Sequence, residues 1–198
     1  MVTFSLAPSR SFAEQFALPL TVVATLALTF QIGHFFEHFA QFAIWVLGDY
    51  SEICGRNTPW MSAWATNMVD MIGAFLAPGA PRARQSMLGL ETLHTIGNSI
   101  FLVGIGTCYA LTRAKYVRYA LVIEGLHLCE HILLTGTGFY VGRPMGVSTL
   151  FGEALNLLPS KEWVVGYRVS WHFVMNLFPM PLVMLGIMDY RALRTQNR

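Results

Sequence analysis

Residues 124 to 136 read "EGLHLCEHILLTG" and hold Glu124, His127, Glu130 and His131 within an otherwise apolar run. On insertion scales a charged side chain in hydrocarbon costs about 2.5–3.5 kcal/mol, so four ionisable groups on one short segment need a compensating partner. A metal ion is such a partner. Imidazole and carboxylate together suit iron, zinc, copper or manganese.

The spacing recurs elsewhere. Gln31, His34 and His38 repeat it, as do Glu91, His94 and Asn98, then Glu124, His127 and His131, and finally His172 and Asn176. Each set is a polar group, a His three residues later, and a His or Asn four after that. The last set lacks the leading polar residue, having Val169 there. Steps of three and four keep all members on one face of a helix. All six histidines of the chain belong to these sets. The expected metal ligands are therefore His34, His38, Glu91, His94, Glu124, His127, His131 and His172.

Two of the sets begin Glu-x-x-His ("ETLH" and "EGLH"), the pattern of di-metal carboxylate sites in four-helix bundles. Glu37 and Glu130, in "HFFEH" and "HLCEH", sit beside the main stripe. They are the candidate catalytic groups, as proton relays or as bases for a metal-bound water. Orienting a histidine ligand is an equal role for them. The pairs His34 with His38 and His127 with His131 resemble the HxxxH and HxxHH boxes of membrane di-iron hydroxylases and desaturases. Glu130 stands where the second box carries a His, and the family is not assigned on these boxes.

These residues need helices to position them. Four segments reach the roughly 20 residues of a membrane-spanning helix: about Phe16 to Leu47, Met87 to Leu111, Tyr116 to Thr135, and Val169 to Met188. The third is expected to stop at "GTG", and Pro179 with Pro181 should kink the fourth. The N-terminus lacks a short hydrophobic stretch with a cleavage site, so the first run is expected to stay as an anchor. Trp60 to Ala77 could almost span, but Asn67 and Asp70 suit a helix lying at the interface or re-entering it. Residues 136 to 168 hold one short helical candidate, "STLFGEALNLL", with Ser148 or Thr149 as its cap.

Composition agrees with a bilayer. Hydrophobic residues make up 54% and charged ones 12%, with mean hydropathy +0.48, where soluble domains carry about 25% charge. A net charge of +2 without a basic run excludes nucleic acid as a partner. Cys54, Cys108 and Cys129 show no paired spacing, and Cys108 and Cys129 read as small buried hydrophobes. The expected fold is a single all-α membrane domain, a four-helix up-down bundle with an interfacial or re-entrant helix in its first extracytoplasmic loop.

Charge sets the orientation. One side receives Arg10, Arg113, Lys115, Arg118, Arg191, Arg194 and Arg198 against Glu14 and Asp189. The other receives Arg56, Arg82, Arg84, Arg143, Lys161 and Arg168 against Asp49, Glu52, Asp70, Glu153 and Glu162. Both termini are thus expected in the cytoplasm of a multi-pass cell-membrane protein. The histidines come late, early, late and early in successive spans, so they share one level, near the outer leaflet.

Three functions compete. The first is a membrane metalloprotein with a mono- or di-metal site, running redox or oxygen-linked chemistry as an oxidoreductase on a hydrophobic small molecule. Zinc-dependent hydrolysis is its variant. The second is a haem b subunit, which the carboxylates beside the histidines disfavour. The third is a non-catalytic metal-binding accessory subunit, associated with other membrane subunits or with copies of itself.

Overall fold

The computed structural model describes residues 15–48 and 60–196. Cys54 and the charges Arg10, Glu14, Asp49, Glu52, Arg56 and Arg198 used above lie outside the described residues. Within them the chain is all-helical: α1 (Ala17–Val46), α2 (Ala63–Leu76), α3 (Arg82–Thr112), α4 (Lys115–Tyr140), α5 (Lys161–Leu177) and α6 (Pro179–Gln196). A short helical stretch at 147–154 precedes α5. The break between α5 and α6 falls at Phe178, next to Pro179 and three residues from Pro181.

Among the described residues three helices are long and apolar enough to cross a membrane: α1, α3, and the stretch Lys161–Leu193 formed by α5 and α6. At 26 residues α4 has the length. The four ionisable groups of "EGLHLCEH" separate it from that set. Its other face is nevertheless apolar and outward, with Val122, Leu126, Ile132 and Leu133 all more than half exposed. Leu18, Phe36, Phe75 and Val103 are likewise exposed on their helices. An apolar surface of this extent requires a non-aqueous cover.

Several hydroxyls on these helices are paired locally. Thr21 and Thr25 donate to the carbonyls of Ala17 and Thr21, and Ser99 and Thr107 to those of Thr95 and Val103. Such back-bonding satisfies these four donors within their own helices.

α3 is the central element, packing against α1, α2 and α4, while α1 also meets α5 and α4 also meets α6. The α2–α3 crossing is close because two glycines lie in it. A Cβ on Gly73 would strike the Gln85 backbone, and one on Gly89 the Val69 backbone. α3 and α4 are joined by only Arg113 and Ala114, with Arg113 left-handed at φ 54°. So short a link makes them an antiparallel hairpin.

Sequence and structure differ at three points. α4 does not stop at "GTG" but continues to Tyr140. Gly138 lies against Leu88 and Met87, and the left-handed Gly142 (φ 84°) ends the helix. Thr149 does not cap a helix from its start; its hydroxyl accepts from the Gly146 N–H at 2.9 Å. Cys129 is exposed while Cys108 is buried. It lies two residues from both His127 and His131, and half a helical turn carries it to the opposite face.

Polar and apolar interiors are segregated along the helices. Ala24, Phe101, Ile105, Cys108, Val117, Ala120 and Val183 form one apolar core drawn from α1, α3, α4 and α6. The histidines lie toward the other end of each helix. Phe101 and Ile105 follow Asn98 along α3 and are fully buried, so the polar interior ends there.

Candidate metal centre

Four helices bring the six imidazoles together. α1 contributes His34 and His38, α3 His94, α4 His127 and His131, and α5 His172. They form two groups whose ligand atoms lie within 4.8 Å of one another: His34, His38 and His94, and His127, His131 and His172. In each group an i,i+4 pair turns Nε2 toward Nε2, at 2.9 Å for His34 and His38 and 3.1 Å for His127 and His131. Two imidazoles bound at about 2.0–2.1 Å to one tetrahedral ion stand about 3.3 Å apart at nitrogen. These pairs are already near that separation.

The groups adjoin without merging. His94 and His131 have centroids 5.1 Å apart with rings inclined by only 7°. Nearly parallel rings meet face to face, and lone pairs lie in the ring plane, so each directs its nitrogens elsewhere. His172 packs on His131 at 4.8 Å.

Neighbours fix which nitrogen is bare. His94 Nδ1 lies 2.9 Å from the Leu90 carbonyl oxygen, which can only accept, so Nδ1 carries the proton and Nε2 keeps its lone pair. Gln41 Nε2 donates to the Trp60 carbonyl, which leaves Gln41 Oε1 to accept from His38 Nδ1 at 3.2 Å. His38 Nε2 is therefore also bare. The Nδ1 atoms of His34, His127, His131 and His172 are buried with no hydrogen-bond partner. Hydrogen bonding alone leaves much of this cluster unsatisfied, and each such group is costly to bury.

Polar tiers flank the histidines. On one side lie Gln31, Asn98, Glu124 and Asn176, all fully buried, with Gln31 Nε2 donating to Asn176 Oδ1 at 2.6 Å. The Glu124 carboxylate is 3.5 Å from His127 Nδ1. On the other side Glu91 is ion-paired with Arg168. Neither Glu91 nor Glu124 belongs to the two histidine groups. Glu124 faces a histidine nitrogen, and Glu91 is held by the arginine.

The two candidate catalytic carboxylates are committed to the frame. Glu37 Oε2 accepts from the Ser62 N–H at 3.1 Å. Glu130 uses both oxygens, Oε1 for the Ser148 N–H at 2.7 Å and Oε2 for the Trp171 indole N–H at 2.6 Å. Charge-assisted bonds of this kind contribute about 1.5–3 kcal/mol each. Glu130→Ala is therefore expected to speed amide exchange at Val147–Thr149 in hydrogen–deuterium exchange, with metal content unchanged. Loss of metal with the segment still protected would return Glu130 to the centre.

Comparison with known proteins adds one finding. The sequence profile of a family of unknown function, DUF6008, matches residues 5–198. The chain belongs to this family. No curated protein and no solved structure matches it.

Two residues at the site escape the three-and-four pattern as first written. Gln41 lies three residues after His38, one step beyond the stripe on α1. Arg168 lies four residues before His172 and supplies the leading polar group that Val169 does not. Extending the pattern by one turn on each helix finds both. Their roles, a hydrogen bond to His38 and an ion pair across to α3, required the structure.

Proposed function

We propose that this is an integral membrane metalloprotein holding two transition-metal ions, one in each histidine triad. α1, α3, α4 and the α5–α6 column form its four-helix membrane bundle, both termini are cytoplasmic, and the site lies toward the extracytoplasmic face. The observation that carries the reading is the pair of adjoining three-nitrogen groups with their facing Nε2 atoms.

Three protein ligands leave each ion an open coordination position, the arrangement of reactive rather than structural sites. Iron or copper bound in this way supplies redox or oxygen-linked chemistry. Metal-assisted hydrolysis needs a base for the bound water; both oxygens of Glu130 are engaged by the Ser148 backbone and Trp171, and one oxygen of Glu37 accepts from the Ser62 backbone. That favours the redox reading. A haem would need a slot between facing helices, whereas rings from different helices here pack directly, at 5.1 to 5.9 Å between His94 and its neighbours on α1, α4 and α5.

Elemental analysis with an absorption spectrum of detergent-purified protein tests this. About two equivalents of iron or copper per chain are expected. Zinc alone, in a colourless protein, would keep the site and remove the redox chemistry. No bound metal would overturn the reading.

A further inference from the structure

A cavity of about 430 Å³ lies between α1, α2 and α3. Its polar wall carries His34, His38 and His94, one triad and none of the other. The two triads are thus unequal: His127, His131 and His172 are all buried, while the first triad faces open space. The rest of the lining is mainly apolar, with Phe30, Met61, Leu90 and Leu93, while Glu37, Gln41 and Ser62 add polar atoms where α1 meets the start of α2. Phe30 and Trp64, also in the lining, are 37% and 56% exposed. Both belong to helices that carry other exposed apolar side chains, Leu26 on α1 and Met71 and Phe75 on α2, so an opening between these helices would be covered by lipid.

We infer that this cavity binds an elongated apolar molecule dissolved in the bilayer, entering sideways between α1 and α2 with one polar end directed at the first triad. The inference rests on the metal-site reading for what the polar end would meet, but not for the cavity itself. At interior packing density of about 0.75, the space holds roughly 320 Å³ of van der Waals volume, enough for a long aliphatic chain or a ring with a tail. The mainly apolar lining disfavours a sugar-like substrate, which would leave its polar groups unpaired, and the Glu37 carboxylate in it disfavours an anion.

α2 is the wall that makes the site. Two bonds from α1 hold the start of α2 in place: Gln41 Nε2 donates to the Trp60 carbonyl at 2.8 Å, and Glu37 accepts from the Ser62 N–H. Gln41 also orients His38. The residue that fixes a ligand's tautomer thus also fixes the cavity wall, and any shift of α2 is felt at the triad.

Gly33 gives a clean test, because it lines the cavity and a Cβ there meets nothing within 4 Å. The probe is a decanol bearing an aliphatic diazirine, photolysed with nanodisc-reconstituted protein and mapped by mass spectrometry. Labelling is expected at Phe30, Met61 or Trp64, and should fall roughly tenfold or more with excess unlabelled decanol. Gly33→Phe should suppress it similarly, and Gly136→Phe, on α4 and equally free of contacts, should not. Labelling spread evenly over the lipid-facing helices, or unmoved by competitor, would overturn the inference. Competition needs no variant, so a poorly folded Gly33→Phe does not remove the test. Metal analysis of the same samples separates the two readings: specific labelling without metal sinks only the metal site, and metal without specific labelling sinks only the cavity.

Discussion

Replacing His38 by alanine should reduce bound metal from about two ions per chain to about one, and replacing His172 should do the same at the other triad. The double variant should bind none. The reason is the partition of the six imidazoles: each i,i+4 pair has a third ligand from a different helix, and no residue is common to both groups. A single ion shared by all six would behave otherwise, since either substitution would abolish binding or leave it whole. Gln41→Leu is the graded version. It removes the acceptor on His38 Nδ1 and should weaken the first ion about 10- to 100-fold, the usual cost of losing an outer-sphere partner, with the second unaffected. Competition with a chelator, followed by elemental analysis at each step, measures both effects on one sample. Equal loss of both ions from every single variant would reject the two-site arrangement.

Much of this centre is written in the sequence because burial makes polar residues informative. In an apolar helix a His at i and another at i+4 must share a face, and six such residues in the apolar segments and none in the connections leave few alternatives to a common interior. The level at which they meet follows from their late and early positions in successive helices. What does not follow is which helix completes which pair. His94 sits on α3, which packs against both α1 and α4. It joins the α1 group while its ring face lies on His131, a choice made by the rotamer and by the bond to Leu90. Glu91 and Glu124 illustrate the same limit. Their spacing marks them as facing the site, but whether a carboxylate binds a metal or an arginine depends on what the opposite helix presents. Arg168 was legible as a charge near a helix start, and its partner 77 residues away was not. The end of α4 differs from the sequence expectation for a related reason. Glycines in "GTG" weaken a helix in isolation, yet packing of Gly138 on α3 outweighs that propensity.

The Glu91–Arg168 pair should therefore be the most sensitive stability determinant outside the histidines. Glu91 is 1% exposed and Arg168 19% at the side chain, so most of the charge on both is removed from water. Removing one partner of a buried pair leaves the other uncompensated, at a cost of about 3–5 kcal/mol. Arg168→Met keeps the aliphatic bulk and strands the carboxylate, so the melting temperature in detergent should fall by roughly 10 °C. Adding Glu91→Gln should recover most of that fall, because a neutral pair carries no stranded charge. The same variants decide the role of Glu91, whose Oε2 has no hydrogen-bond partner and remains available to a ligand. If its work is to bind Arg168 across the α3–α5 contact, Glu91→Gln with Arg168→Met is stable and retains its metal. If Glu91 is instead a ligand, the double variant recovers stability but loses an ion, and Arg168→Met alone keeps it. Thermal melts and metal content then move in opposite directions, and each outcome assigns the carboxylate to one of the two roles.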